Sequence, residues 1–175
     1  MASDSAADPA AGPPAPPVPL RRSLAPGIYP LDEVAPGLLL RPIVDAFAPP
    51  IPRERLVAHA HVQVTRDDSW PRVHEHKGHI QLPRHYLQGA QDTVLYLDLV
   101  HELVHVRQFL EGRVLYHREM DYVDWPTEIE AYRFTVAEAR TLGCTDAWIR
   151  EYLEIPWADG AGMARLYRSC GVSSL

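Results

Sequence analysis

The sequence predicts an α+β fold. An alternating apolar stretch near residue 60 and a short apolar run near residue 80 come first, and two long segments of helical period follow them. At 175 residues the chain has room for one domain with a hydrophobic core and is too short for two. Its formal charge of -6 argues against nucleic acid or an anionic membrane surface as the main partner, since both reward clustered Lys and Arg. Cys144 and Cys170 are the only cysteines, too few for a disulfide framework and not spaced as a CxxC knuckle, so a reduced, cytoplasmic setting is expected. The first twenty residues lack a basic segment, and prolines break their apolar content, so no secretory signal is expected. No apolar run reaches the ~18 residues of a membrane span.

Residues 1–25 are rich in Ala, Pro and small polar residues and bury too little apolar surface to offset the entropy of ordering, so a disordered tail is expected. The single domain is then residues 26–175. Its first part, 26–52, carries prolines at 26, 30, 36, 42, 49, 50 and 52, which forbid a long helix and predict an extended arm. That arm would pack through Ile28, Tyr29, Leu31 and Leu38 to Leu40. From Leu56 to Arg66, Leu56, Ala58, Ala60, Val62 and Val64 alternate with polar residues, the pattern of a half-buried strand. A second strand is expected within 73–82, clearest from Gly78 to Leu82.

Asp92 or Thr93 can cap a long helix whose apolar positions are Leu95, Leu99, Leu103, Val106 and Leu110, with Gly112 at its C-terminal cap. Pro126 begins a further helix that runs with Ile129, Phe134, Ala137 and Leu142 to Gly143. Two shorter helices are expected over 146–155 and 160–169.

Within the long helix stands His101-Glu102-Leu103-Val104-His105. Residues four apart on a helix lie one above the other, so both imidazoles can reach one ion while Glu102 projects beside it, where it can act as base toward a water. Neutral imidazole nitrogen suits a zinc ion, so one Zn2+ is the expected cofactor. The metzincin extension requires Gly and His where this chain has Gln108 and Glu111, so that reading fails.

Downstream, Glu128-Ile129-Glu130-Ala131 resembles the gluzincins, in which a Glu on a second helix completes the site and a small residue follows at the E-x-x-A spacing. Gly78-His79-Ile80-Gln81-Leu82 is similar to the G-x-I-x-L edge strand of short gluzincins, the minigluzincins and the CAAX-type peptidases. The resemblance implies a small zincin-like domain with a short antiparallel or mixed sheet and an edge strand over the cleft. It also implies His101, His105 and Glu128 as metal ligands, Glu102 as catalytic base, and a zinc metallopeptidase acting on peptide or protein substrate. Where many gluzincins have Asp after the Ala, this chain has Tyr132, so another group must orient a ligating imidazole, Asp98 or a backbone carbonyl being the options.

Other assignments stay open at this point. Glu130 or His117 could replace Glu128, although Glu130 lies about 200° further round the helix. The His59-His61 and His74-His76-His79 groups could form a second metal site or simply the solvated face of strands. Tyr116, His117, Tyr122 and Tyr132 could each stabilise an oxyanion. A zinc amidase acting on a small molecule, or an inactive zinc-binding regulatory module, would use the same residues, and the sequence does not fix the oligomeric state.

Overall fold

The computed structural model describes residues 13–173, and the part of the expected tail before residue 13 lies outside the described residues. The order of elements is β1 (Gly27–Pro30), α1 (Leu31–Val34), α2 (Pro42–Phe47), α3 (Arg53–His59), β2 (His61–Thr65), β3 (Arg72–Val73), β4 (Ile80–Pro83), α4 (Arg84–Gly89), α5 (Asp92–Leu110), α6 (Pro126–Leu142), α7 (Asp146–Tyr152) and α8 (Gly160–Ser169). The class is α+β, and the sheet is mixed, in the order β1-β2-β4-β3. β1 pairs antiparallel with β2, β2 parallel with β4, and β3 antiparallel with β4.

This topology corrects the expectation of an edge strand at 78–82. β4 is internal, with Ile80 opposite Val62 on one side and Val73 on the other. The edge on that side of the sheet is the two-residue β3. Ile80 and Leu82 are fully buried, as a strand paired on both sides and packed toward α5 requires. Gly78 sits in the tight turn before β4 at φ 68, with its N–H on the His74 carbonyl at 2.8 Å. A Cβ there would fall 2.2 Å from Phe109 Cδ1 and 2.7 Å from His59 Nε2, so the turn presses directly on the last turn of α5.

The strand expected from Leu56 onward begins only at His61, and Leu56 belongs to α3. The alternation over 56–60 rested on two alanines, which favour helix over strand, and Val57 interrupts the expected polar face. The proline-rich arm is extended only in β1; beyond it α1, a 3-10 turn at Leu38–Leu40 and α2 follow. Pro42 occupies the first turn of α2, where its missing N–H costs nothing. Leu31, Leu38 and Leu39 pack as expected, whereas Ile28 and Leu40 face solvent.

Residues 13–25 are also docked, against the expectation for them. Val18 and Leu24 are buried, the Arg21 N–H meets the Val34 carbonyl at 2.9 Å, and Arg22 Nη1 donates to the Leu87 carbonyl at 2.7 Å. Prolines restrict the unfolded segment, so two apolar anchors suffice to hold it.

α5 is buried almost all round from Leu95 to Gln108, the signature of a core helix. Gln91, not Asp92 or Thr93, is its N-cap and makes no side-chain cap bond; Thr93 Oγ1 donates to the Pro14 carbonyl at 2.5 Å instead. At the other end Gly112 adopts φ 78, with its N–H on Phe109 O at 2.9 Å and the Arg113 N–H on Gln108 O at 3.1 Å, closing the helix as expected. α6 packs along α5 through Glu128, Ala131, Thr135 and Glu138, while Ala137 is exposed. Of the expected apolar positions, Phe134 and Leu142 are partly buried against the core and Ile129 is half-buried, so the most deeply buried face is the one carrying Glu128 and Ala131, as the E-x-x-A spacing implies. Glu138 repays its burial by accepting from Tyr96 at 2.5 Å and pairing with Arg41 at 3.3 Å. α7 ends at Tyr152 rather than Ile155, consistent with the bias of a residue preceding proline away from helix. Cys144 and Cys170 are both buried and free.

Candidate metal centre

One turn of α5 and the first turn of α6 supply the site. His101 and His105 project from the same face of α5, and their Nε2 atoms lie 3.0 Å apart. Glu128 Oε2 is 3.2 Å from His101 Nε2 and Glu128 Oε1 is 3.3 Å from His105 Nε2. Ala131, fully buried on the same face of α6, leaves the room for this approach. Nitrogen and oxygen ligands about 2.0–2.2 Å from a tetrahedral ion sit about 3.3–3.6 Å from one another, close to these separations. All three groups are buried, and among the described residues they form the one set of three potential ligands.

The electrostatics are those of a site that accepts a cation. Burial alone would raise the Glu128 pKa, but His105 and His101 override it and hold the carboxyl well below the usual carboxylate range. Burial disfavours charge on both imidazoles; it prevails at His101, whereas at His105 the Glu128 carboxylate outweighs it and raises the pKa. The ion-free triad thus keeps a proton on His105 beside a charged Glu128, and a bound cation would take over that proton's role. Glu102 stands beside the triad, and burial pushes its carboxyl up to about 8 against the opposing pull of His105. Its Oε2 is buried with no hydrogen-bond partner.

A glutamine, not Asp98, orients one ring of the triad. His105 Nδ1 lies 2.7 Å from Gln108 Oε1. The Gln108 amide nitrogen donates to the Thr127 carbonyl at 3.0 Å and to Glu130 Oε2 at 2.8 Å, which fixes the oxygen of the amide toward the histidine. His105 therefore donates from Nδ1, and in its neutral form presents the Nε2 lone pair to the centre. Asp98 accepts instead from the hydroxyls of Tyr86 and, at 2.9 Å, Tyr152. Tyr132 packs on the His101 ring with centroids 4.4 Å apart, and His101 Nδ1 is left without a partner.

The alternatives to Glu128 are engaged elsewhere. Glu130 pairs with Arg107 at 2.7 Å and with Arg113, tying the two helices together outside the triad. His117 lies 3.5 Å from Glu119 and against Trp125, and is not part of the converging set. The other histidines form no second centre. His59 Nε2 lies 3.1 Å from the Lys77 carbonyl, His79 Nε2 lies 2.9 Å from Gln63 Oε1, and His74 Nδ1 accepts from the His76 N–H.

Two adjoining cavities, about 320 and about 150 Å3, open onto the triad and share Trp70, His101, Glu102, Tyr122 and Trp157 in their walls. The strand bordering the smaller one is β3, through Arg72 and Val73, in place of the expected 78–82 segment. Of the oxyanion candidates, Tyr122 donates to Glu128 Oε2 at 2.7 Å and lies 3.2 Å from the Tyr132 hydroxyl, while Tyr116 donates to the Val73 carbonyl. Sequence reasoning missed Gln108, Arg72, Trp70 and Trp157. Only Gln108 carried a signal, being three residues beyond His105 on the same helical face.

Fold and site together define an α+β domain with a buried two-histidine, one-carboxylate centre able to hold a metal ion. No family model, curated protein or solved structure matches this chain.

Proposed function

We propose that the chain is a zinc-dependent hydrolase of the metallopeptidase type, with His101, His105 and Glu128 as metal ligands and Glu102 as general base. The observation that carries this reading is a Glu102 carboxyl group, one of its oxygens buried without a hydrogen-bond partner, beside a triad of converging ligands, with all four residues lining one cleft. A structural zinc site would have no use for a buried, unsatisfied carboxylate, which is costly to maintain. When bound, zinc supplies Lewis acidity toward the scissile carbonyl and toward water.

Glu102 then takes the proton of the attacking water and returns it to the leaving nitrogen. Its raised proton affinity falls beside a cation, toward the neutral range in which a general base works best. Gln108 keeps the Nε2 of His105 available, and Tyr122 holds Glu128 in place. The substrate in this reading is a peptide or protein segment lying across β3. A second reading, hydrolysis of a small amide or ester, would use the same residues and place the whole substrate in the larger cavity of about 320 Å3.

The deciding experiment measures zinc content and cleavage of a quenched-fluorescence peptide library for the parent chain and for Glu102→Gln. Stoichiometric zinc in both, with cleavage only in the parent, supports the reading. Zinc in both with no cleavage of peptide or amide overturns it in favour of a regulatory zinc module.

A further inference from the structure

The larger cavity beside the triad has a wall that hydrolysis itself does not require. Trp70, Tyr86, Tyr122, Tyr132, Tyr152 and Trp157 line it. The exposed Trp70 stands edge-on to Tyr86 with ring centroids 5.8 Å apart, and the exposed Trp157 stands edge-on to Tyr122 at 5.8 Å. Asp98, Glu102, Glu151 and Glu154 share the lining, and no lysine or arginine does.

Asp98 lies on α5 one turn before His101, with part of its surface open to the cavity. Its partners are the neutral hydroxyls of Tyr86 and Tyr152, and no cationic side chain balances it. Burial raises its pKa to about 6, and the hydroxyls of Tyr86 and Tyr152 oppose that rise. The carboxylates of the lining do not converge as ligands of an inorganic ion, since among the described residues only His101, His105 and Glu128 do so. Aromatic rings combined with an unbalanced carboxylate match an organic cation.

We propose that this cavity is a substrate subsite for an organic cation, the ammonium or guanidinium of a basic side chain or of an amino terminus, received among the aromatic rings and against Asp98. The inference deepens the hydrolase reading and rests on it for its consequence: a group held here lies beside His101 and Glu102, so cleavage falls next to a basic residue or a free amino terminus.

Binding to the full, zinc-loaded chain, followed by tryptophan fluorescence with probe integrity checked by chromatography, tests the subsite without needing turnover. Three probes are compared: N-acetyl-lysine methylamide, N-acetyl-norleucine methylamide, and norleucine methylamide with a free amino group. At least one cationic probe should bind roughly tenfold more tightly than the capped norleucine. The probe that gains identifies the source of the cation, side chain or amino terminus. Asp98→Asn should abolish most of the preference. Because that variant alters a buried position, the double variant Glu151→Gln with Glu154→Gln, at exposed positions, provides a second reading and should weaken the preference with the fold intact.

Equal binding of all three probes overturns the proposal, as does a preference unchanged in both variants. A cation preference in a chain that cleaves nothing overturns the hydrolase reading and leaves the subsite standing. Cleavage with no cation preference does the reverse.

Discussion

Gln108 and His105 share a 2.7 Å hydrogen bond whose amide is anchored on Thr127 and Glu130 of α6. The tautomer of one triad histidine is thereby set from across the helix interface.

Replacing Gln108 by Leu should weaken zinc binding about 10- to 100-fold, the usual cost of losing an orienting partner, and leave a folded protein. Competition against a chromophoric chelator measures it. Unchanged affinity would mean that the bond serves packing alone.

Glu128→Ala should strip the metal or weaken it more than any other single change on α6, because a tetrahedral site loses one of three protein ligands. Glu130→Ala should keep most of the affinity. It deprives the buried Arg107 of a 2.7 Å partner and releases Arg113, so its main effect is a loss of about 1–3 kcal/mol of stability in denaturant titration. The reverse pattern, zinc lost with Glu130 and kept without Glu128, would move the third ligand.

Glu102→Gln should lower hydrolysis by about 10²- to 10⁴-fold while zinc is retained. In the metal-free protein it has a second effect. The folded carboxyl keeps its proton up to about 8 whereas the unfolded one releases it near 4.5, so the native state binds more protons in that window and stability falls as pH rises through it. His105, raised by Glu128, acts in the same direction. The variant lacks the Glu102 contribution, so its advantage in melting temperature over the metal-free parent should grow from pH 5 to pH 8. A constant difference across that range would argue against the raised carboxyl.

Much of the site was legible because helical spacing is rigid. His101, Glu102 and His105 follow from one turn of α5, and the two residues that separate Glu128 from Glu130 suffice to send one toward the histidines and the other toward Arg107 and Arg113. The sheet was less legible. Nothing in Gly78 to Leu82 distinguishes a strand paired on one side from a strand paired on both, and a two-residue partner such as β3 is too short to leave a periodic trace. The face of α6 that meets α5 was legible through Glu128 and Ala131 at the E-x-x-A spacing, whereas Thr135 and Glu138, buried on the same helix, leave no trace in a hydrophobic pattern. Trp70 and Trp157 lie on loops, where sequence spacing carries no information about which cavity they border.

The pairing of β4 changes what a proline would do there. Ile80 is fully buried between two partner strands, so Ile80→Pro should cost about 3 kcal/mol or more and unfold the domain instead of merely slowing cleavage. Circular dichroism and urea titration distinguish the outcomes, and a folded, stable variant would show that β4 is not paired on both sides.

Truncation should reveal the contribution of the docked N-terminal segment. Removal of residues 1–24 takes away the buried Val18 and Leu24 and should cost about 2–4 kcal/mol. A melting temperature equal to that of the full chain would show that the docked segment contributes nothing.

Gly78 gives the cleft a remote determinant. Its hairpin rests on Phe109 at a distance that admits a hydrogen and excludes a methyl, and the same hairpin carries Arg72 and Val73 along the border of the smaller cavity. The spacing between sheet and α5 is therefore calibrated by the smallest side chain in the repertoire. The gauge of the cleft is set by a residue that contributes no atom to its walls.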